Sequence, residues 1–452
     1  MGAIMKTLAE LSFGTISQGV FKHTVEALTV ALKFSAPADV LISKYFRENP
    51  ELGSRDRSWV AETVFAVLRE KATLQYLAEA LSSELAAAGA TSTKRERSAE
   101  KTAQRPRRLA LFALVRQGNP EVIDKICREP ELSLIKRLAQ LGENDLPREV
   151  RLNLPPYAMK ALDTQYGPER VERMMRALNQ SAPLDLRVNT LKTDRNTAIA
   201  QLAKEDILCV PTPLSPWGLR VQGKPLISLS SLFKSGAIEV QDEGSQLLAL
   251  LLGAKRGEMV ADFCAGAGGK TLALGAQMRN TGRLYAFDIS IRRLEKLKPR
   301  LARSGLSNVV TIGIESENDA RIKRLAGKLD RVLVDAPCSG LGTIRRNPDL
   351  KWRQGERDIA ELALKQMKIL SAAARMVKVG GRLVYATCSL LQAENDEVVD
   401  AFLKMHPHYK ILNASEVLQA QGVSIEEMPR LSLAPDTHGT DGFFAVVMER
   451  GF

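Results

Sequence analysis

Cysteine is scarce in this sequence, and its few cysteines lie far apart. The 452 residues contain five, an odd number with no Cys-x-x-Cys pair. This pattern argues against a disulfide framework and indicates a reducing compartment. The four histidines are scattered, so the sequence predicts no metal site. Runs of about 20 consecutive apolar residues are also missing, which predicts a chain without a membrane span.

The amino terminus carries no recognisable targeting signal. Residues Met1 to Lys6 lack a basic region followed by an apolar run and a small-residue cleavage site. We therefore expect a cytoplasmic protein, and we expect a monomer. Positive charge, in contrast, is in excess, because the net charge is +12 and the isoelectric point is near 9.4. This excess favours a polyanionic partner, nucleic acid first.

The length predicts more than one hydrophobic core, and the texture of the sequence suggests three domains with boundaries near residues 150 and 240. Residues 1–150 have helical periodicity, as in Val60, Val64, Val67 and Leu68, which predicts an all-α domain. Within it, Thr91 to Arg108 is polar and basic without an apolar face. We expect an exposed loop there, which is either a solvated charge run or a contact with an RNA backbone.

Residues 151–240 predict a small α/β insert, and residues 241–452 predict a larger α/β domain. The insert combines one amphipathic helix, Ala158 to Leu178, with short strand-like runs interrupted by prolines. In the larger domain, apolar runs alternate with helical segments, which is typical of a parallel sheet with crossover helices. The predicted strands are Met259–Phe263, Arg283–Phe287, Val309–Ile314, Arg331–Val334, Arg382–Tyr385 and Phe443–Met448.

Two of the five cysteines follow directly on predicted strands. Cys338 lies in Asp335-Ala-Pro-Cys-Ser-Gly, and Cys388 lies in Ala386-Thr-Cys-Ser. Residues just past the carboxyl ends of parallel strands line the ligand crevice of an open sheet. Both cysteines could instead be ordinary buried thiols, which are common in proteins. Their shared position favours a pair of reactive thiols.

A glycine-rich turn, Cys264-Ala-Gly-Ala-Gly-Gly-Lys270, follows the first strand of the larger domain. It fails the P-loop pattern, because Cys264 stands where the first glycine is required, and it also fails the dinucleotide pattern. An acidic residue at the strand end followed by small residues suits a methyltransferase better. Asp288 ends the next strand, where a carboxylate can accept ribose hydroxyls. The combination favours S-adenosylmethionine as cofactor.

Two thiols beside a methyl donor match the chemistry of pyrimidine methylation at carbon 5. That carbon becomes nucleophilic after a thiolate has added to carbon 6, and the proton at carbon 5 and the thiol must afterwards leave. Lys270 and Arg345-Arg346 are candidates for the positive field that favours a thiolate. Exocyclic amine methylation would require an aromatic residue at the place of Cys338. The residues alone leave open which thiol attacks.

The chain resembles the RNA 5-methylcytosine methyltransferases of the Sun/NOL/NOP group over residues 150–450. More loosely, Leu52 to Arg57 and Val67 to Arg69 resemble the NusB-like helical domain that is fused to the bacterial small-subunit ribosomal RNA methyltransferase B branch. The matching segments of the larger domains are Gln241 to Gln246, Cys264 to Thr271, Asp335 to Gly342, Arg345 to Trp352, Tyr385 to Ser389, Glu394-Asn395 and Asp441 to Phe444.

The resemblance implies that Cys388 attacks the base and that Cys338 assists release of the product. It also implies an RNA-facing role for Arg187-Val-Asn189. The alternative is that Arg187 and Asn189 are ordinary polar residues at a strand edge. An acid that ends the third strand is expected to bind the cofactor; Glu315 fits best, with Asp319 second. The other implied cofactor contacts are Cys264, Ala265, Gly266, Ala267, Gly268, Gly269, Lys270, Asp288 and Asp335, with Ala267 standing where the family usually has proline.

Together, these patterns predict an S-adenosylmethionine-dependent RNA cytosine-5 methyltransferase. The expected fold is a Rossmann-like catalytic domain with an all-α amino-terminal domain and a small α/β RNA-binding insert. Small-subunit ribosomal RNA in a bacterial cytoplasm is the expected substrate. Two alternatives stay open at this point, the same chemistry on transfer RNA and a non-catalytic RNA-binding factor of ribosome assembly.

Overall fold

The structure is a computed structural model that describes residues 17–87, 94–117, 126–127, 129–138, 142, 145–223 and 225–452. The segment Met1 to Lys6 therefore lies outside the described residues. The chain divides into two compact units, one formed by Met1–Gln180 with Ile344–Gln354 and the other by Ser181–Thr343 with Gly355–Phe452. The expected three-domain division at residues 150 and 240 stays a prediction.

The first unit is helical wherever it is described. Its core combines apolar faces of several helices, including Leu28, Val64, Leu68 and Phe112. Such faces stabilise the helices mainly by burial, because isolated helices of this length are marginal in water. The helices are α1 (Gln18–Ala31), α2 (Ala38–Glu48), α3 (Ser54–Arg69), α4 (Lys71–Ala87), α5 (Lys94–Arg116), α6 (Glu129–Leu138), α7 (Arg148–Arg151), α8 (Pro156–Tyr166) and α9 (Pro168–Leu178).

Helix α3 confirms the predicted helical periodicity. Val60, Val64, Val67 and Leu68 are all fully buried on one face of it. The helix begins at Ser54, where the carboxylate of Asp56 accepts a hydrogen bond from the Gly53 amide. An acidic side chain at this position satisfies an amide that has no partner within the helix.

Two predictions for the first unit are wrong. The basic segment expected to be a loop is helical from Lys94 onward, because its lysines, arginines, alanines and glutamates are strong helix formers; residues 91–93 lie outside the described residues. Arg107 pairs with Glu131 and covers the Phe21 ring rather than projecting into solvent. The single helix expected from residue 158 to 178 is two helices, α8 and α9, because Gly167 adopts a φ of 77° before Pro168.

The segment Ile344–Gln354 interrupts the second unit in sequence and packs within the first. It contains a short helix, α16 (Leu350–Arg353). The fully buried Lys351 donates hydrogen bonds of 2.9 Å to the Arg69 carbonyl and to Asn179 Oδ1. Burial first, and then the neighbouring cations Arg69 and Lys71, lower the pKa of this amine well below its usual value. Lys351 is therefore a structural residue of the first unit.

The second unit begins with a small antiparallel sheet. Its strands, in the order β2-β3-β1-β4 within the described residues, are β1 (Leu184–Val188), β2 (Cys209–Pro211), β3 (Gly218–Val221) and β4 (Ile238–Val240). Helices α10 (Arg195–Ala203) and α11 (Ser231–Lys234) accompany it, with a 3-10 turn at Ile227–Leu229. Strand and helix side chains such as Leu186, Leu202, Leu219 and Ile238 share one core. A small sheet with helices thus lies within residues 184–240 of the predicted α/β insert, whereas its expected helical part, residues 158–178, belongs to the first unit.

The larger sheet has the order β10-β12-β9-β8-β5-β6-β7, and β11 pairs with β12, among the described residues. Strands β5 to β9 are parallel, whereas β12 and β10 are antiparallel to their neighbours. The strands are β5 (Met259–Asp262), β6 (Arg283–Asp288), β7 (Val309–Gly313), β8 (Leu329–Asp335), β9 (Val377–Thr387), β10 (Tyr409–Leu412), β11 (Leu431–Leu433) and β12 (Phe443–Arg450).

Helices cover both faces of this sheet, as the alternation of apolar runs predicts. The chain is therefore Rossmann-like in its second unit and helical in its first. The helices are α12 (Glu243–Leu252), α13 (Gly269–Gln277), α14 (Ile291–Ser304), α15 (Ala320–Lys323), α17 (Glu356–Ala374), α18 (Asp396–Met405), α19 (Ala414–Gln419) and α20 (Pro435–His438), with 3-10 turns at Leu341–Thr343 and Gln392–Glu394. Throughout the described ranges, no helix has the length and apolar character needed to cross a membrane.

Candidate active site

The two cysteines of the strand-end motifs meet. Strands β8 and β9 run parallel, with Asp335 beside Ala386, so the loops that follow them leave the sheet at the same edge. Cys338 Sγ and Cys388 Sγ lie 3.3 Å apart, and both residues are half-buried. The pair lies close to the reversal of strand order beside β5, where ligands of open α/β sheets bind.

Close backbone packing fixes the loop after Cys338. The amide of Gly342 donates to the Cys388 carbonyl over 2.9 Å, and the Gly442 amide donates to the Gly342 carbonyl over 2.8 Å. A Cβ atom at Gly342 would lie 2.1 Å from the Gly442 carbonyl oxygen, so no larger residue fits there. The glycines of the Asp335 to Gly342 and Asp441 to Phe444 motifs thus serve the packing of the two cysteine turns.

Lys270 and Asp335 form an ion pair beside the thiols, with Lys270 Nζ 2.6 Å from Asp335 Oδ2. Burial disfavours the charge of the amine, but the charge and the hydrogen bond of Asp335 outweigh burial and raise the pKa of Lys270. Its positive charge also acts on Cys388. The predicted positive field therefore comes at least from Lys270.

The surroundings of the other two thiols of the site disfavour their ionisation. The hydrogen bond with Cys388, then burial, then the charges of Cys388 and Glu394 raise the pKa of Cys338 well above its usual value. Burial and the carboxylate of Asp335 raise the pKa of Cys264 in the same direction. A thiol that resists ionisation is a poor nucleophile and keeps its proton. The arrangement is electrostatically asymmetric between Cys338 and Cys388.

The glycine-rich turn connects β5 to α13 and contacts Asp288. The Gly266 amide donates to Asp288 Oδ2 over 2.8 Å, and the Ser290 amide donates to Oδ1 over 2.7 Å. Gly268 has a φ of 85°, and a Cβ there would lie 2.1 Å from Leu297 Cδ1. The turn therefore requires glycine at position 268, and it presents backbone amides at a helix amino terminus.

Asp262, the last residue of β5, is a buried carboxylate. It is the acidic residue at the strand end that favoured a methyltransferase, but it was not among the predicted cofactor contacts. Its Oδ2 accepts a 2.7 Å hydrogen bond from Thr271, whereas its Oδ1 has no hydrogen-bond partner among the described residues. Burial, only partly offset by Thr271, raises the pKa of Asp262 to about 6. An unpartnered buried carboxylate oxygen at the cofactor turn suits a cationic group of a ligand. The signal in the sequence is its place at the strand end directly before the turn.

Arg187 was expected to face RNA, and the structure contradicts this. Arg187, Val188 and Asn189 are at most 5% exposed, because β1 is an interior strand of the small sheet. The guanidinium of Arg187 donates a hydrogen bond to the Gly269 carbonyl over 2.9 Å. Arg187 therefore fixes the backbone of the glycine-rich turn. The alternative prediction, that Arg187 and Asn189 lie at a polar strand edge, is also wrong, because β1 has a neighbouring strand on each side.

A second arginine holds the same turn. Arg300 of α14 donates to the Ala267 carbonyl over 2.6 Å and pairs with Glu239 of β4 at 3.0 Å. Glu239 also pairs with Arg303, and its charge acts on Arg187. Buried ion pairs of this kind are costly to break from one side. The small sheet is therefore part of the scaffold of the glycine-rich turn.

The third-strand acid stays open between two residues. Glu315 is exposed two residues after β7, and its amide donates to Asp319 Oδ2. The carboxylate of Asp319 caps α15 and pairs with Arg321, which lowers its pKa. Asp319 is thus engaged in local structure, which leaves Glu315 the better candidate by exposure. Neither residue has a described contact with the glycine-rich turn.

Glu394 and Asn395 form hydrogen bonds with residues of the two cysteine turns. The sequence associated them with the site through the family resemblance alone. Asn395 accepts a hydrogen bond from Thr387 and donates to the Ser389 carbonyl over 3.0 Å, so it brackets Cys388. Glu394 is fully buried and accepts hydrogen bonds from Ser339 and Ser389. A buried carboxylate next to two thiols was not deducible from spacing.

Comparison with known proteins agrees with this architecture. A family model described as 16S rRNA methyltransferase RsmB/F matches residues 249–449, and a model of the ferredoxin-like domain of RsmF/B-like methyltransferases matches residues 154–227. The probable ribosomal RNA small subunit methyltransferase B of a Synechocystis strain is 31% identical over 444 residues, which cover 91% of this chain and 95% of that protein.

Other relatives match over smaller shares. The probable ribosomal RNA small subunit methyltransferase B of Bacillus subtilis is 36% identical over 303 residues, covering 66% of this chain and 66% of that protein. The crystal structure of a methyltransferase homolog protein from Pyrococcus horikoshii has a TM-score of 0.58 and 30% identity, and it covers 69% of this chain and 100% of that one. The chain belongs to the RsmB/F family of methyltransferases.

Proposed function

We propose that this protein methylates carbon 5 of a cytosine in small-subunit ribosomal RNA, with S-adenosylmethionine as methyl donor and Cys388 as covalent nucleophile. The observation that carries the proposal is the approach of Cys338 Sγ and Cys388 Sγ to 3.3 Å beside the Lys270–Asp335 ion pair. Binding of RNA alone does not require two thiols in contact beside the glycine-rich turn, whereas covalent methyl transfer does.

The electrostatic asymmetry supports the order of the two thiols. Lys270 places a positive charge near Cys388, whereas the hydrogen bond with Cys388, then burial, then the charges of Cys388 and Glu394 raise the pKa of Cys338. A thiolate is the attacking form of cysteine, and a protonated thiol can return a proton at a later step. The family resemblance proposed Cys388 as nucleophile, and the charges around the pair favour the same choice.

The residues around the glycine-rich turn fit S-adenosylmethionine. Asp288 would accept the ribose hydroxyls, and the unpartnered oxygen of Asp262 would balance the ammonium group of the methionine portion. The backbone amides from Cys264 to Lys270 would contact the cofactor, and a Cβ at Gly266 would meet no atom within 4 Å, so glycine there leaves the space beside the turn free for a ligand. NSun6 from Pyrococcus horikoshii, 22% identical, was solved with the S-adenosylmethionine analogue SFG, a likeness that shows the fold alone.

The proposed reaction assigns a step to each of the chain's own residues at the site. Cys388 adds to carbon 6 of cytosine, which makes carbon 5 nucleophilic. Bound S-adenosylmethionine supplies an electrophilic methyl group. Asp335, held by Lys270, is positioned to hydrogen-bond the target base. After methyl transfer, solvent accepts the proton at carbon 5, the electrons of that bond re-form the carbon 5–carbon 6 double bond, and Cys388 leaves as a thiolate. The thiol of Cys338 donates a hydrogen bond to this thiolate and so assists its release.

Small-subunit ribosomal RNA is proposed from the relatives, whose names state that substrate. The net charge of +12 supports a polyanion in general and does not select among RNAs. The target base must leave its stack to reach the thiols, so an unpaired or flipped cytosine is expected. The cytoplasmic location stays a prediction.

The test compares wild type with Cys388→Ala and Cys338→Ala, each incubated with labelled S-adenosylmethionine and total RNA. We expect 5-methylcytosine from wild type and none from Cys388→Ala, because no adduct forms. Cys338→Ala should accumulate a covalent protein–RNA adduct, because release is impaired. The measurements are nucleoside mass spectrometry and a gel shift that resists denaturation.

The control is Cys209→Ala, which removes a thiol from the small sheet. It should methylate at the wild-type rate. Full activity in Cys388→Ala would refute the nucleophile assignment. Labelling of transfer RNA instead of ribosomal RNA would favour the second substrate, and absence of methyl transfer by wild type would favour a non-catalytic assembly factor.

A further inference from the structure

Glu394 connects the two cysteine turns through the serine that follows each cysteine. Ser339 donates its amide to Glu394 Oε1 over 2.8 Å and its hydroxyl to Oε2 over 2.5 Å. Ser389 donates its hydroxyl to the same Oε2, and the two serine oxygens lie 3.1 Å apart. One carboxylate therefore binds the residue after Cys338 and the residue after Cys388.

The carboxylate is fully buried and its acceptor capacity is filled. Gln366 of α17 donates to Oε1 over 3.0 Å, which completes four donors on two oxygens. The same Gln366 amide group donates to the Pro337 carbonyl over 2.9 Å, one residue before Cys338. The Glu394 backbone is fixed as well, because Tyr385 donates its hydroxyl to the Glu394 carbonyl over 2.6 Å. Such a filled network resists distortion.

The same carboxylate places a negative charge next to one thiol. The hydrogen bond with Cys388, then burial, then the charges of Cys388 and Glu394 raise the pKa of Cys338, whereas the ammonium of Lys270 acts on Cys388. Tyr385, the other titratable group of this cluster, resists ionisation because it is buried. The network therefore influences both the separation of the thiols and the distribution of charge between them.

We propose that Glu394 is a positioning residue that joins the turns of Cys338 and Cys388 through Ser339 and Ser389 and so sets the contact between the two thiols. The inference rests on the proposed function for the catalytic use of the thiols. The contact itself can be tested without RNA or cofactor. Glu394 acts through the serines and touches no reacting atom.

The test uses the full-length protein and three variants. Glu394→Gln keeps the shape of the side chain and removes its charge, since the amide group can accept from the two N–H donors and donate to the two hydroxyls. Glu394→Asp keeps the charge and shortens the side chain. The double variant Ser339→Ala with Ser389→Ala removes both hydroxyl links.

The first measurement is capture of the thiol pair by phenylarsine oxide, a reagent that condenses with two adjacent thiols and releases water. Mass spectrometry locates the product on Cys338 and Cys388. We expect capture to slow about tenfold or more in Glu394→Asp and in the double serine variant, because displacements near 1 Å have large effects on such reactions. Glu394→Gln should react within about threefold of wild type in this assay, because its geometry is retained.

The second measurement is the pH profile of Cys338 alkylation by iodoacetamide, made in a Cys388→Ala background so that the partner thiol does not interfere. Glu394→Gln should shift this profile to lower pH by about one unit, because a nearby negative charge is removed. Glu394→Asp should keep the wild-type profile. If Glu394 were only a structural residue, Glu394→Gln and Glu394→Asp would not affect different measurements, the pH profile in one case and the thiol capture rate in the other.

The matched control is Glu243→Gln, the same change at another fully buried glutamate. Its described hydrogen bonds come from the amides of Leu214 and Ser215. This variant should leave thiol capture and alkylation at wild-type values. Thermal unfolding of each variant verifies folding, and if the Glu394 variants do not fold, Ser339→Ala and Ser389→Ala are compared singly.

Wild-type capture and alkylation in all variants that remove Glu394 or the serine hydroxyls would overturn the inference. Methyl transfer distinguishes this failure from failure of the proposed function. We expect kcat to fall about tenfold in Glu394→Asp with little change in KM, because binding surfaces are retained. If wild type methylates no RNA while the thiol assays change as expected, the proposed function fails and the positioning role stands.

Discussion

At the scale of single residues, Asp262 shows how burial without a partner prepares a group for a ligand. Its Oδ1 is buried and unpartnered, and burial raises its pKa to about 6. A neutral carboxyl is the less costly form in a buried site, whereas the ionised form is the one that attracts a cation. If the ammonium of S-adenosylmethionine binds there, cofactor binding and ionisation of Asp262 must be linked.

We predict that the affinity for S-adenosylmethionine rises as pH increases through about 6 in wild type. Below this pH the Asp262 carboxyl is protonated in the free protein and cannot balance the ligand's charge; above it the carboxylate is already formed. Asp262→Asn should bind about tenfold more weakly or worse at pH 7.5 and should lose the rise near pH 6, since a hydrogen bond to a charged group is worth about 1.5–3 kcal/mol. Isothermal titration calorimetry between pH 5 and 7.5 measures both.

Asp330→Asn is the control, because Asp330 begins β8 at the opposite end of the sheet and binds the Met259 amide and Lys378. It should keep the pH profile of wild type. An unchanged affinity and profile in Asp262→Asn would contradict the proposed contact with the ammonium group and would leave Asp262 as a partner of Thr271 alone.

At the scale of elements, most strands of the larger sheet were predictable because they are continuous apolar runs, and interior strands such as β5 and β8 are buried on both faces. The predicted runs Met259–Phe263 and Arg283–Phe287 agree with β5 and β6 to within one residue. The apolar run at Phe443 was also correct as a strand, but its antiparallel direction depends on the chain path after β9, which no local pattern contains. Strands β10 and β11 were not predicted, because a polar residue interrupts the apolar run in each.

The failures at this scale have two causes, tertiary placement and a helix propensity that was given too little weight. Arg187 has the composition of an RNA-contacting residue, yet β1 lies inside the small sheet and carries it into the scaffold of the glycine-rich turn. The basic run after Lys94 was taken for a loop because charge was weighed above helix propensity. The role of Glu394 could not be deduced because its partners are 5 to 55 residues away in sequence.

The arginines that hold the glycine-rich turn offer a comparison within one helix, α14. Arg300→Met removes the hydrogen bond to the Ala267 carbonyl and one ion pair with Glu239, whereas Arg303→Met removes only an ion pair with the same Glu239 and a contact with the Phe233 ring. We predict that Arg300→Met weakens S-adenosylmethionine binding about fivefold to tenfold, as the loss of one hydrogen bond to the turn implies.

Arg303→Met should keep the cofactor affinity within about twofold, because its described partners do not include the turn, while both variants lower the melting temperature through the buried Glu239. Calorimetric titration and thermal unfolding provide the two quantities. Equal losses of affinity in the two variants would mean that the ion-pair cluster acts on the turn as a whole rather than through the Ala267 carbonyl.

At the scale of the whole molecule, the excess of positive charge can be read directly from the sequence. The net charge of +12 must lie largely on the surface, because the described buried cations are paired or hydrogen-bonded to carbonyls. Helix α14 carries a dense exposed set, Arg292, Arg293, Lys296 and Lys298, against a single exposed acid, Glu295. This helix follows the strand that ends at Asp288, so its basic surface begins near the glycine-rich turn.

We predict that the affinity for ribosomal RNA falls linearly with salt on a log–log scale, because bound phosphates release counterions. Replacing Arg292 and Lys296 with glutamine should reduce the slope by about 0.7 for each residue that contacts a phosphate. Fluorescence anisotropy between 50 mM and 300 mM KCl measures the slopes, and Lys404→Gln with Lys410→Gln, at the far edge of the sheet, is the matched control. If the α14 variant and this control have the slope of wild type, RNA binding does not involve α14, and a salt-independent affinity would mean that shape rather than charge dominates recognition.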